Sequence, residues 1–219
     1  MDSSIPPPPS FSRQRKLRPW YLVPAMVLTW CYGMNGLMTG CANVSFLRAG
    51  PVPDVAEALQ RAQGATDPSE LVNLGRAVWL QSMHELGRVT FPINIAQVLL
   101  SAMLVFASGL AMSSRKGARS LVLQALVANA VLSAVAYGLT EGVRAACIDT
   151  MVRAAQTLPL DLPNRAAFSR PDWLWLGFRI KLVAFELGTL ALGAFALTRG
   201  RTRVYFEAMA KAAEGAEEP

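Results

Sequence analysis

Charge is what this 219-residue chain has least of, and it is missing in blocks. Asp, Glu, Lys and Arg make up 16% of it, against about 25% in soluble domains. None occurs from Pro19 to Leu47, from Val89 to Ser114, or from Ser120 to Thr140. Each gap exceeds the roughly 18 apolar residues that mark a spanning helix. These runs disfavour a soluble all-helical protein, whose long helices carry a polar face. Histidine is nearly absent too: His84 stands alone, with Glu85 and Arg88 in HELGR, and HExxH is missing. Walker A, GxGxxG and GxSxG are also missing. These absences point away from an enzyme and imply no metal or cofactor. His84 reads as an exposed interface residue.

What is present is an all-α, polytopic membrane pattern with four transmembrane helices at about 20–40, 91–112, 120–141 and 176–198. Residues 1–18, with four consecutive prolines, read as a flexible cytoplasmic tail, and 201–219 as a cytoplasmic C-terminal tail. The loops 42–89 and 142–172 are long enough to build a small helical extracytoplasmic cap. Val55, Ala58, Leu59 and Ala62 recur at helical spacing. Asp67 then caps a second stretch with Pro68 at its first position and Glu70 three residues on. Pro92 is expected to kink or interrupt the chain where it enters the second span. Val143, Ala146, Cys147, Met151, Ala154 and Leu158 extend the third span outward on one face.

The net charge of +6 does not indicate nucleic-acid binding, because it is sorted by loop. Arg13, Arg15, Lys16 and Arg18 precede the first span; Arg115, Lys116 and Arg119 lie between the second and third; Arg199, Arg201 and Arg203 follow the fourth. Loops 48–88 and 141–172 carry four arginines each, balanced by five and four acids. The positive-inside rule then puts both termini in the cytoplasm. Arg outnumbers Lys by 17 to 4, which points to a GC-rich bacterial genome and a bacterial inner membrane.

Small residues at Gly33, Gly36 and Gly40 would let another helix approach the first span closely. WCYGMNG and VAYGLTEG, in the first and third spans, leave open a duplicated hairpin or chance likeness between apolar helices. Cys31 reads as packing. Cys41 and Cys147 fall near the outer ends of their helices and could form a disulfide or remain free thiols. LMTGC at Leu37–Cys41 also has a lipobox-like shape, which three further spans make unusual.

The fourth span, WLWLGFRIKLVAFELGTL, carries three charges. Trp173 and Trp175 read as interface anchors, and Arg179 and Lys181 have stems long enough to reach the headgroups. Glu186 is different: it lies near mid-membrane on a short side chain, at a cost of about 2.5–3.5 kcal/mol. Its neighbours at three and four positions are Leu182, Val183, Thr189 and Leu190, so the expectation is a partner from another helix or a neutral acid. Asn129 lies at similar depth, and Gln97, Asn94, Gln124 and Asn35 are further polar candidates. Three functions remain open. The first is a noncatalytic assembly, scaffold or accessory subunit, touching lipid and other membrane subunits or a second copy. The second is a transporter or channel subunit built on Glu186, and the third a sensor of a small ligand in the cap.

Overall fold

The computed structural model of the protein describes residues 18–64, 69–113, 115, 117–157 and 168–217. The proline run, Asp67, Pro68, Lys116 and Leu158 lie outside them. Every regular element among the described residues is helical: α1 (Leu22–Ala49), α2 (Val55–Gly64), α3 (Ser69–Glu85), α4 (Gly87–Met112), α5 (Ala118–Leu139) and α6 (Glu141–Thr157). After these come α7 (Pro171–Ile180), a π-helical segment (Lys181–Leu187), α8 (Gly188–Thr198) and α9 (Gly200–Glu217).

Among the described residues three helices are long and apolar enough to cross a membrane: α4, α5 and the stretch Pro171–Thr198. The apolar runs of the sequence predict four. At 28 residues α1 has the length, but Thr29, Asn35, Thr39, Asn43 and Ser45 dilute its apolar run. Large apolar side chains face outward from the three, including Leu99 and Phe106 on α4, Val127, Val131 and Val135 on α5, and Leu192 and Phe195 on α8. Exposed valines four residues apart on α5 lie one above another, so that face has the character of hydrocarbon.

Several boundaries differ from those expected, each for a local reason. Helix α1 continues nine residues past 40, to Ala49. The break before α4 falls at Leu86, not at Pro92, which sits inside α4. There Thr90 Oγ1 donates to Met83 O (2.9 Å) and Leu86 O (3.2 Å), tying the two helix ends together. Pro92 is the sixth residue of α4, so Arg88 O loses the helical N–H that it would otherwise accept. The helical stretch expected after the third span exists as α6, after a turn at Thr140. Residues 201–217, expected as a tail, are helical, with Tyr205 and Phe206 buried. Between α4 and α5 the chain reverses through Gly117 at φ 77, the left-handed region that glycine enters without steric cost.

The chain divides into two compact units. One comprises the chain up to Leu37, Leu99–Ala130 and the chain from Leu187. Its core joins Leu22 and Met26 of α1, Leu104 of α4, Val122 and Leu126 of α5, Leu197 of α8 and Phe206 of α9. Small residues set the spacing here. A methyl on Gly33 would stand 2.9 Å from Val105 Cγ2, and one on Gly193 2.6 Å from Thr29 Oγ1. Arginines close helix ends in the same unit. Arg18 Nη2 donates to Met112 O (3.2 Å) and Arg119 Nε to Leu197 O (2.9 Å), satisfying last-turn carbonyls that a helix leaves open. The cations that mark loop orientation in the sequence are therefore also caps.

The other unit comprises Met38–Val98 and Val131–Glu186. Its apolar cluster gathers Ala62 of α2, Leu74 and Val78 of α3, and Cys147, Met151 and Ala154 of α6, with Leu174 of α7 against it. Trp79 of α3 stacks on Phe178 of α7 at 5.7 Å between centroids. Gly40 meets α4 as expected: a methyl there would lie 2.8 Å from Val98 Cγ2. Beside it Asn43 Nδ2 donates to Asn94 Oδ1 (2.8 Å), a polar bond between α1 and α4.

Candidate functional site

The π-helical segment decides how Glu186 is accommodated. In an α-helix, positions five apart diverge by about 140° around the axis, so Lys181 does not face Glu186. A π-helix closes its hydrogen bonds from i to i+5, which brings such positions into line. Lys181 Nζ stands 4.0 Å from Glu186 Oε1. The partner comes from the same helix, not from another. The Lys181 side chain is 69% exposed and that of Glu186 27%, so the cation reaches outward while the carboxylate sits half-covered. The contact is loose, but pairing lowers the cost of holding either charge at membrane depth. Arg179 is exposed and is separate from this pair.

The other polar candidates disperse. Asn129 is buried, and its Nδ2 donates to Leu100 O of α4 (3.0 Å) and Ala125 O of its own helix (2.8 Å). It pins α5 to α4. Asn94 Nδ2 donates to Thr90 O (2.7 Å) while its Oδ1 accepts from Asn43. Gln97 is half-buried on α4. His84 is exposed, with its ring edge-on to Phe46 at 6.4 Å.

Double substitution should test the Lys181–Glu186 contact. Lys181→Met and Glu186→Gln are each expected to lower stability in detergent by less than about 1 kcal/mol, with coupling below about 1 kcal/mol, because the pair is half-exposed and long. A coupling of several kcal/mol in a double-mutant cycle would show a tighter, buried pair.

Cys41 and Cys147 are not joined; with Cys31, all three thiols are free. Cys41 is exposed on α1, whereas Cys147 is buried against the apolar cluster of α3 and α6, which disposes the two sulfurs differently. Burial pushes the Cys147 thiol from its ordinary 9.0 up to about 11. The folded value is the higher, so the stabilisation from its neutral form is complete below pH 9.0 and is lost as pH rises through about 11. Three maleimides should add to the denatured, unreduced chain, and Cys147 should react slowest in the folded one. Fewer than three adducts would indicate a disulfide.

The residue that sequence reasoning passed over is Arg144. It is 3% exposed, on α6. Its guanidinium lies 3.6 Å from the Tyr137 ring centroid and 5.9 Å from that of Trp175, so it joins the end of α5 to α7. Nη1 donates to Thr140 Oγ1 (2.8 Å) and Nη2 to Tyr137 O. Its Nε is buried without a partner among the described residues. Burial pushes its pKa below the ordinary arginine value, opposed by Tyr137 and Glu141 beside it. Trp175, expected as an interface anchor, is half-buried over this cation, while Trp173 is exposed. The signal was present in the spacing: Tyr137, Thr140 and Arg144 fall on one face if α5 and α6 are read as continuous.

Compared with family models, curated proteins and solved structures, the chain matches none. Among the described residues no group of three or more His, Cys, Asp or Glu is placed to hold a metal ion.

Proposed function

We propose that the protein is a noncatalytic integral membrane component, an assembly, scaffold or accessory subunit that acts through helix packing and an extracytoplasmic helical cap. In this reading α1 is a fourth span beside the three apolar helices. The basic segments around Arg18, Arg115 and Arg199 then face the cytoplasm of a bacterial cell, with both termini. The cap is α2, α3 and α6, and the neighbours are lipid and other membrane subunits or a second copy. One observation supports it above the rest: Asn129, Asn94 and Thr29 donate to helix carbonyls, and Asn43 donates to Asn94, within the fold. Polar side chains committed in this way hold helices together and leave little to line a path for solute.

Chemical crosslinking in native membranes, then gentle solubilisation and purification, tests it. A defined complex of fixed stoichiometry, with partners or with itself, is expected. A monomer without crosslinks at any reagent concentration would overturn the reading. A second reading, transport or channel activity at Glu186, is favoured by the π-helical turn, since such segments recur at functional sites.

A further inference from the structure

The helices α2, α3 and α6 leave a cavity of about 340 Å³ that no role described so far uses. That size falls within the ~300–1,000 Å³ of small-molecule sites. Asp54 and the first turn of α2 form one wall, Gln81, Ser82 and Glu85 of α3 another, and Thr150 of α6 a third, with Val78 among the apolar lining. The lining contains two carboxylates and no cation.

The polar atoms are arranged to accept. Asp54 Oδ1 receives the Ala56 N–H (2.8 Å) as the cap of α2, which leaves its Oδ2 outside that bond. Glu85 Oε1 receives Gln81 Nε2 (2.9 Å), which holds the carboxylate in place. Thr150 Oγ1 gives its proton to Ala146 O (2.9 Å), so its lone pairs remain for a donor. Ser82 supplies the independent sign of a ligand. It is only 5% exposed, it lines the cavity, and its side-chain hydroxyl makes no hydrogen bond among the described residues. The residue is buried on every other side, so this hydroxyl is left for whatever occupies the cavity.

We propose that this cavity binds a small organic cation, a protonated alkylamine. An ammonium is donor-only, which matches a lining of carboxylates and hydroxyls, and Val55, Val78 and Ala146 offer surface to an alkyl chain. A bare metal ion fits less well, because two carboxylates in a cavity of this size would leave most of its coordination to water. The proposal stands independently of whether the protein is a subunit of a larger assembly.

The test is calorimetric titration of the full-length protein in phosphatidylcholine nanodiscs, with empty nanodiscs as blank. The probes are n-butylamine, 1,4-diaminobutane, butanoate and calcium chloride. Saturable binding of at least one amine and none of butanoate is expected. Glu85→Gln and Asp54→Asn should each weaken the amine roughly tenfold, the loss of one charge-assisted hydrogen bond. Asn still caps α2, and Glu85 is exposed, so both variants should keep the wild-type helical signal and unfolding midpoint. Ser82→Ala should weaken binding about threefold. The proposal is overturned if neither amine binds saturably, if calcium binds and the amines do not, or if all three variants bind as the wild type does.

Discussion

Arg144→Lys is expected to destabilise the protein by about 3 kcal/mol, more than Arg144→Met, which should stay within about 1 kcal/mol of wild type. The usual ranking of conservative substitutions is thereby reversed. Arg144 is 3% exposed and carries its charge under the Tyr137 ring, with Thr140 Oγ1 and Tyr137 O as hydrogen-bond acceptors. Lysine would keep the desolvation penalty of a buried cation. It would lose the planar stack on Tyr137 and the forked geometry that serves two acceptors at once. Methionine removes the charge and fills similar space, so only packing and two modest hydrogen bonds are forfeited. Unfolding midpoints of the two variants in one detergent decide it. A lysine variant as stable as wild type beside a weakened methionine variant would mean that the positive charge itself, not its stacking, holds α5, α6 and α7 together.

Gly193→Leu should cost about 3 kcal/mol or prevent assembly altogether. A Cβ at this position would lie 2.6 Å from Thr29 Oγ1 and within 3.3 Å of Leu126, so α8 cannot keep its distance from α1 and α5. The smaller change Gly193→Ala isolates the cause. Alone it should cost about 1–2 kcal/mol, and in a Thr29→Ala background less than about 0.5 kcal/mol, because the clashing oxygen is gone. Leucine should not be rescued in the same way, since Leu126 still blocks it. Equal costs in both backgrounds would place the crowding elsewhere.

The helices were legible in the sequence because membrane spans announce themselves by missing charge, as between Val89 and Ser114. Gly33 and Gly40 were legible as contact points for the same physical reason: only small residues let backbones approach. What failed to show was register. A helix read with one fixed period places Lys181 and Glu186 on different faces, and only the π-helical turn brings them together. Arg144 was missed because a single arginine in a loop of mixed charge looks solvated, and burial depends on α7 folding back over it. Helix α9 was hidden by arginine. RGRTR drew attention to topology, while Tyr205, Phe206 and Met209, spaced for one helical face, carried the packing signal.

The central claim is that the polar residues of the spans hold the fold and that Glu186, paired with Lys181, moves no ions. Proton flux into liposomes containing the purified protein, read with an internal pH dye under an imposed gradient, tests it most directly. The account predicts flux equal to that of protein-free liposomes, for wild type and Glu186→Gln alike. Flux in the wild type that disappears with Glu186→Gln, at equal amounts of inserted protein, would contradict it.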